Sequence, residues 1–313
     1  MQQLRVLTLN IWAHNGPWPA RAAAIRAGLV AEQADVVALQ EVLGFPGSTT
    51  QLDELCALLP AELYPHRAYG PACVLPDQRT FGNAILSRFP LIKQHSISLP
   101  NPRRREPRAL LCCLIALPTA QLPVFTTHLD WELDGSYARC QQVRFIAEQI
   151  EQEVAAARRR PAADVLPPLL LGDFNAEPES DELRFLSGHH ALPSADDPVP
   201  RGVYFNDCYV RALTVEAPSR EDAASAPGAT FVRRNPFAAR AHEPDRRLDY
   251  IFVGLPDSRG RGEPLRAWRC FCAPHKAGGL AAAGSPASPR PAGSEPGGVH
   301  ASDHFGVAAD LAV

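Results

Sequence analysis

The sequence predicts a mixed α/β fold, and three features of its 313 residues indicate this class. Hydrophobic repeats of helical period alternate with apolar runs of strand length along the first part of the chain. Between residues 81 and 128 several strand-like runs follow one another without a helix, which argues against simple Rossmann alternation. Apolar residues make up 46% and charged residues 21%, a composition typical of a folded chain with a large core.

The first elements alternate between strands and helices. A strand is expected over residues 4–11, and Pro17 favours a helix start because its ring presets the helical φ angle. The second strand is apolar throughout residues 36–39, which is typical of a strand covered on both faces. Thr50 with Asp53 is typical of a capped helix start. A second helix is therefore expected after the second strand.

The rest of the chain is rich in strands and contains one long helix. We expect Ser136 to cap this helix, because Val143, Ile146 and Ile150 then share one buried face. Strands are predicted, in order, over residues 82–87, 91–99, 108–117, 122–128, 167–174, 229–233, 247–254, 268–272 and 305–313. Two segments lie outside this pattern, 187–202 and 273–299, and the second is expected to be a flexible loop because it is rich in Gly, Ala, Ser and Pro.

Composition and charge exclude several classes of protein. The formal net charge is −3, with 31 basic and 34 acidic residues, which excludes a broad basic surface for nucleic acid but leaves a local basic patch open. No run approaches the roughly 18 to 20 apolar residues of a membrane span, and a strand beginning at Leu4 leaves no room for a signal peptide. We therefore expect a cytoplasmic protein without integral membrane association, whose eight cysteines are free thiols.

Polar side chains stand at the ends of many predicted strands. In layered α/β folds strand ends converge at one rim, where loops present side chains to a ligand, so we expect these residues to form one site. Strands end at Asn10, Glu41, His128, Asp173 and Asn175, while Asp249 lies inside a later strand and Ser302, Asp303 and His304 precede the last one.

Each of these residues also has a structural explanation. Asn10 could cap a turn, and Asp173 with Asn175 could form an Asx turn. A single histidine such as His128 is more often structural than catalytic. Asp249 is harder to explain in this way, because a carboxylate in an apolar strand is expected to be buried and then requires a cationic partner. Taken together, the set favours a function.

The donor chemistry of the set predicts hydrolysis of a phosphate ester. Hard oxygen ligands predominate at Glu41, Asp303, Asn10 and Asn175, with two histidines and no cluster of thiolates. Such oxygens suit Mg²⁺ or Mn²⁺, which keep several waters and share the substrate phosphate. Hydrolysis of a phosphodiester needs neutralised non-bridging oxygens, a deprotonated water and a stabilised leaving oxygen. The set supplies a group for each task.

Seven motifs carry a family resemblance: LTLNIW, ALQEV, GNAILSRFPL, TTHLD, LLLGDFNAEP, RRLDYIFV and SDHFGV. In this order they resemble the endonuclease/exonuclease/phosphatase superfamily, the deoxyribonuclease I-like fold, over residues 4–313, and the pairing of GDFN with SDH is the specific part. The resemblance implies a four-layer sandwich of two packed, mostly antiparallel sheets flanked by helices, with the site at one edge. It also implies a single domain over residues 1–313, with the loop at 273–299 inside it.

The resemblance implies roles in binding the metal and the phosphate. Glu41 corresponds to the principal metal ligand, with Asn10 and Asp303 near the same cation, which would be Mg²⁺ or Mn²⁺. Asn175 corresponds to the residue that holds the scissile phosphate.

Roles in proton transfer follow in the same way. Asp173 corresponds to the aspartate that orients or activates the attacking water. His304, paired with Asp249, is the other candidate for the base or for a stabiliser of the transition state. His128 fits the histidine that helps to protonate the leaving group in the nuclease-like and sphingomyelinase-like branches.

The motifs indicate the reaction more firmly than the substrate. The expected activity is that of a monomeric phosphodiesterase acting on a phosphate ester, with a nuclease for DNA or RNA, a sphingomyelinase-like phospholipid hydrolase and an inactive binding module as alternatives. The family often places an arginine against the phosphate, and Arg108 is favoured over Arg105 because it immediately precedes a strand. Trp12 and Trp131 could stack on a base, cradle a choline ammonium or belong to the core.

Overall fold

The computed structural model describes residues 3–47, 49–160, 164–192, 204–212, 214–215, 227–276 and 298–313. Within these ranges the helices are α1 (Trp18–Glu32), α2 (Gln51–Leu58), α3 (Ser136–Arg158), α4 (Asp181–Leu186) and α5 (Cys208–Arg211). The strands are β1 (Gln3–Asn10), β2 (Val36–Gly44), β3 (His66–Val74), β4 (Thr80–Ser87), β5 (Leu91–Ser98), β6 (Ala109–Ala116), β7 (Gln121–His128), β8 (Leu169–Asp173), β9 (Phe205–Asp207), β10 (Thr214–Val215), β11 (Asp249–Gly254), β12 (Pro264–Cys270) and β13 (Gly306–Ala312).

The strands form two sheets. The first sheet has the order β10-β12-β13-β1-β2-β4-β3, and the second has the order β5-β6-β7-β8-β11-β9. Among the described strands, β1 with β2, β10 with β12 and β7 with β8 are parallel pairs, and the other neighbours run antiparallel. The mostly antiparallel pairing that the family resemblance implies is therefore confirmed.

Alternate residues of β2 pack on opposite sides of the first sheet. Val36 and Ala38 belong to the core between the two sheets, whereas Val37 and Leu39 pack under α1 and α2. This confirms the expectation of a strand covered on both faces. The outer face of the second sheet is covered in the same way by α3 and α4. The layer order of helices, sheet, sheet and helices is the predicted four-layer sandwich.

The helix starts agree with the sequence in one case and differ in another. The predicted start of α2 is confirmed, because Asp53 N donates to Thr50 Oγ1 at 3.2 Å while Thr50 N donates to the Asp53 carboxylate at 2.8 Å. The prediction that Ser136 caps α3 is wrong, since Gly135 is the N-cap residue. The Ser136 hydroxyl instead donates to Glu182 Oε2 at 2.8 Å and so joins α3 to α4.

The strand predictions also differ from the structure in several places. The strand predicted over 229–233 is wrong, because Phe231 forms only isolated bridges with Arg246 and His304. Strand β3 was not expected, since it contains Pro71 and lacks a clear apolar alternation. An edge strand tolerates proline, and β3 lies at the edge of the first sheet with an irregular register beside Pro71.

Glycine at position 172 allows β7 and β8 to approach each other closely. Gly172 has a φ of 150°, and a Cβ placed there would collide with the backbone oxygen of Thr127. The glycine of the GDFN motif therefore fixes the position of Asp173, the next residue, against β7.

Predictions about the cysteines and the long loop have different outcomes. All eight cysteines are free thiols, and burial raises the pKa of Cys113 to about 12. The loop expected over 273–299 falls mainly on residues 277–297, which lie outside the described residues. Its two ends are held together, because His275 and Val299 exchange backbone hydrogen bonds of 2.8 and 3.0 Å.

No helix in the described part of the chain is long and apolar enough to cross a bilayer.

Candidate active site

Three predicted site residues lie side by side on the second sheet. The register of β7 with β8 pairs His128 with Asp173, and the register of β8 with β11 pairs Asp173 with Asp249. From the first sheet, Asn10 at the end of β1 donates its Nδ2–H to Asp173 Oδ2 at 2.9 Å. The strand ends of the two sheets therefore meet at one rim, as the sequence predicts.

Glu41 reaches this rim from a bulge. The prediction that the second strand ends at Glu41 is wrong, because β2 continues to Gly44. Its register against β4 shifts between Leu39 and Val42, and Glu41 takes a φ of 59°. A bulge redirects the side chain at an unusual backbone angle, and such strain is concentrated at functional sites. Here it brings Glu41 Oε1 within 3.0 Å of Asn10 Nδ2.

The buried Asn10 side chain connects two carboxylates. Its Nδ2 donates to both Glu41 and Asp173, and its Oδ1 accepts a hydrogen bond from Trp12 N at 2.9 Å. An amide with both ends engaged holds its neighbours in a fixed geometry. Asn10 therefore fixes the separation of Glu41 and Asp173.

Three acidic groups of the site have pKa values above their usual range. Burial and the neighbouring Glu41 raise the pKa of Asp303 to about 6. Burial also raises the pKa of Asp173 to about 6, with Asp249 adding to the rise and His304 opposing it. Burial raises the pKa of Glu41 as well, and the charge of Asp173 contributes. Several carboxylates that raise one another's pKa form an environment that a bound cation stabilises.

His304 is held between two aspartates. Its Nδ1 donates to Asp249 Oδ2 at 2.8 Å, and its Nε2 lies 3.7 Å from Asp173 Oδ2. Burial on its own would lower the pKa of His304, but Asp249 and Asp173 raise it well above the usual value. The two aspartates therefore favour the protonated, imidazolium form of the ring. The fully buried Asp249 has the cationic partner that its place in an apolar strand predicts. Ligand atoms of these three residues all lie within 4.8 Å of one another, close enough to hold a metal ion.

His128 has the opposite charge state. Arg108 Nη1 donates to His128 Nδ1 at 2.9 Å, and because a guanidinium cannot accept, the proton of the neutral ring is on Nε2. Burial and the charge of Arg108 lower the pKa of His128 well below its usual value. His128 Nε2 lies 3.7 Å from Asp173 Oδ2, the same distance as His304 Nε2. A neutral and a cationic imidazole thus approach one carboxylate oxygen.

Asn175 forms the turn that its structural explanation predicts and lies beside Asp173. Its backbone N donates to Asp173 Oδ1 at 2.9 Å, which is the expected Asx turn, and its φ is 49°. Its Nδ2 donates to the backbone oxygen of Leu129 at 3.2 Å. Both ends of the residue are fixed at the rim beside Asp173.

Sequence reasoning missed Arg21, which is the largest fully buried side chain among the residues that the structure describes. Its guanidinium donates to five backbone oxygens, those of Ile11, Trp12, Ala13, Asn15 and Ala301, at 2.7 to 3.2 Å. It thereby ties the loop after Asn10 to the segment before Asp303. Burial lowers the pKa of Arg21 to about 10, so it stays charged at neutral pH. Its spacing from Ile25 and Leu29 on one helix face was a signal, since an arginine in an apolar stripe needs partners.

The site lies in a cleft of about 840 Å³. Arg108 lines this cleft, whereas the alternative Arg105 pairs with Glu132 on a neighbouring loop. The other described lining residues are Trp12, Ala13, His14, Asn15, Glu41, Leu43, Leu75, Arg79, Phe81, Glu106, His128, Trp131, Asp173, Asn175, Phe231, Ala241, Glu243, Arg246, Leu248, Asp303 and His304.

A two-sheet sandwich with buried acidic and imidazole groups at one rim defines the class of deoxyribonuclease I-like proteins. The chain belongs to the endonuclease/exonuclease/phosphatase family, whose model matches residues 7–304. Members of this family are generally metal-dependent hydrolases of phosphate esters.

Solved structures support the fold. An endonuclease/exonuclease/phosphatase from Bacteroides vulgatus is 19% identical, with 100% of each chain covered and a TM-score of 0.66. TDP2 from Caenorhabditis elegans is 16% identical over 99% of this chain and 75% of its own, with a TM-score of 0.63. The human Nocturnin catalytic domain with bound sulfate is 18% identical over 99% of this chain and 94% of its own, with a TM-score of 0.62. No curated protein matches the sequence.

Proposed function

We propose that the protein is a divalent-metal-dependent phosphodiesterase. The observation that carries this proposal is the convergence on Asp173 Oδ2 of the Asn10 amide and of two imidazoles in different charge states. Paired groups whose surroundings push their pKa values apart are typical of acid–base sites. Family membership adds the reaction class.

The donor set fits a hard divalent cation. Glu41 and Asp303 would hold Mg²⁺ or Mn²⁺ with Asn10 beside them, because carboxylate and amide oxygens are the ligands these ions prefer. The raised pKa of both carboxyls supports this assignment, since a cation would relieve their repulsion. When bound, the ion would neutralise charge on the phosphate oxygens.

His304 fits the ion less well than Glu41 and Asp303 do. Its Nδ1 is already bonded to Asp249, and an imidazolium does not bind a metal. We therefore assign Asp173 to the attacking water, and His304 with Asp249 to the charge of the phosphate, rather than to the ion.

The proposed division of labour follows from the charge states. Asp173 is a carboxylate at neutral pH and accepts the proton of the attacking water. The His304 imidazolium, oriented by Asp249, stabilises negative charge on the phosphate. Neutral His128 donates a hydrogen bond from Nε2 toward the leaving oxygen.

The remaining predicted residues bind the phosphate. We assign Asn175 to this role because it is fixed beside Asp173 at the rim. We assign Arg108 to phosphate binding as well, because it lines the cleft and its buried Nε has no hydrogen-bond partner among the described residues. Arginine N–H groups match phosphate oxygens well.

Hydrolysis of bis-p-nitrophenyl phosphate tests the proposal. We expect turnover with Mg²⁺ or Mn²⁺, loss of turnover in EDTA, and a fall of about 10²-fold or more in kcat for Asp173→Asn. Glu148→Gln, an exposed substitution on α3, is the matched control and should leave kcat unchanged. Activity of Asp173→Asn equal to that of the wild type would contradict the proposed base.

A substrate panel tests the narrower alternatives. Plasmid DNA, single-stranded RNA, sphingomyelin and inositol phosphates represent the nuclease, phospholipase and phosphatase branches. Failure with every ester in the presence of metal would favour the inactive binding module. The monomeric state, the cytoplasmic location and the single domain remain predictions.

A further inference from the structure

Trp131 is an exposed aromatic side chain inside the catalytic cleft. It lines the same cleft as His128 and Asp173, yet 53% of its surface is exposed. An indole that stays in contact with water forgoes the stabilisation that burial of its rings would give. In a cleft, such a ring is available to contact a ligand.

The backbone around Trp131 is fixed to β8 and to α3. Leu129 N donates to the backbone oxygen of Asp173 at 3.0 Å, and Asp130 N donates to Gln142 Oε1 at 3.1 Å. Arg139 Nη1 donates to the backbone oxygens of Asp130 and Glu132 at 3.1 and 2.8 Å. Residues on both sides of Trp131 are therefore held in place.

A second set of contacts holds the loop from the other side. Asp134 accepts two hydrogen bonds of 2.8 Å from Arg103, and Glu132 accepts one of 2.9 Å from Arg105. The loop is thus ordered before any ligand arrives, and little conformational entropy remains to be lost when a ligand contacts the indole.

The charges of the cleft do not suit a polyanion. Five carboxylates line it within the described ranges, those of Glu41, Glu106, Asp173, Glu243 and Asp303, against three arginines and His304, which is paired with Asp249. Each arginine has an acidic partner: Arg79 with Asp77 at 2.6 Å, Arg108 with Glu106 at 3.4 Å and Arg246 with Glu243 at 2.8 Å. Nucleic acid polymers are held mainly by unneutralised positive charge. A ligand with a single phosphate needs much less unneutralised positive charge.

We propose that Trp131 forms a subsite for a flat ring, and that the substrate is a small ester with a single phosphate and such a ring, not a nucleic acid polymer. The inference rests on the proposed function, which places the phosphate beside Asp173. The shared chemistry is a flat ring linked to phosphate, whether the ring is a nucleoside base or a simple aryl group.

Binding of matched ligand pairs, measured by titration calorimetry in Mg²⁺, tests the subsite. Adenosine 5′-monophosphate against ribose 5-phosphate represents the base, and phenylphosphonate against methylphosphonate represents the aryl group. Stacking on one aromatic side chain is worth about fivefold to a hundredfold in affinity, so at least one ring-bearing ligand should bind more tightly by that factor. The pair that shows the preference identifies the kind of ring.

The variants separate stacking from folding. Trp131→Ala should abolish the preference for the ring, and Trp131→Phe should keep most of it. Leu133→Ala is the control, since Leu133 is 66% exposed on the same loop and is not part of the cleft lining. For a ring-bearing diester, Trp131→Ala should raise KM with little change in kcat, as expected for uniform binding. A ring preference that persists in Trp131→Ala would overturn the subsite.

Plasmid DNA tests the second half of the proposal. It should compete weakly with the small ligands, with a shallow dependence on salt concentration, whereas tight and steeply salt-dependent competition would overturn the preference for a single phosphate. Because these measurements need no turnover, the two proposals can fail separately. A ring preference without hydrolysis contradicts the enzyme, and hydrolysis without a ring preference contradicts the subsite.

Discussion

Arg21→Lys tests whether the hydrogen bonds of Arg21 stabilise the rim. The Arg21 guanidinium donates five hydrogen bonds to backbone oxygens on both sides of the candidate metal site. Lysine keeps the charge but can donate at most three, so at least two bonds are lost. At roughly 1.5 kcal/mol for each bond from a charged donor, the free energy of unfolding should fall by about 3 kcal/mol.

Urea unfolding, followed by circular dichroism without added metal, measures this loss. Arg26→Lys is the matched control on the same helix, because Arg26 makes one exposed hydrogen bond, to the backbone oxygen of Leu58 at 2.7 Å. We expect it to cost under about 1 kcal/mol. Mn²⁺ affinity should fall in Arg21→Lys and stay unchanged in Arg26→Lys. Equal stability of Arg21→Lys and the wild type would refute the reasoning that Arg21 fixes the rim through its hydrogen bonds.

Three further predictions concern the site and its support. Asp249→Asn should remove the charge that raises the pKa of His304, so the alkaline limb of the kcat profile should move to lower pH, and an unmoved limb would count against an imidazolium. Apparent Mn²⁺ affinity should fall as pH drops through about 6, because protons compete for Asp303, and titrations at pH 5 to 8 measure this. Gly172→Ala should lower the melting temperature by several degrees, because its Cβ would collide with Thr127, and an unchanged value would argue against the close strand approach.

The sequence predicted the meeting of polar residues at one rim where the signal is encoded locally. Asp173, Asp249 and His304 come from motifs in which a polar residue borders an apolar strand, and strand ends at one rim meet whatever the details of the loops. Charge alone predicted that Asp249 needs a cationic partner, because a buried carboxylate in a strand requires one, and the family resemblance pointed to His304. The structure supplies that cation as His304 at 2.8 Å.

Other features of the fold and the site depend on contacts between distant residues, and the hydrophobic pattern of the sequence does not show such contacts. The bulge at Glu41 requires knowledge of the register against β4, because the apolar pattern of β2 continues on both sides of it. The lowered pKa of His128 depends on its burial and on the charge of Arg108, which precedes the neighbouring strand β6. Strand β3 was not predicted because it contains Pro71, which is tolerated there since β3 lies at the edge of its sheet.

The central claim is that Glu41 and Asp303 hold the cation while His304 handles charge on the substrate. Calorimetric titration of Mn²⁺ into the wild type, Glu41→Gln and His304→Asn tests it most directly. We expect Glu41→Gln to weaken Mn²⁺ binding by about tenfold or more, and His304→Asn to bind Mn²⁺ within about threefold of the wild type while losing turnover. The reverse pattern, with binding lost in His304→Asn and retained in Glu41→Gln, would place the ion on Asp173, Asp249 and His304 and contradict the account.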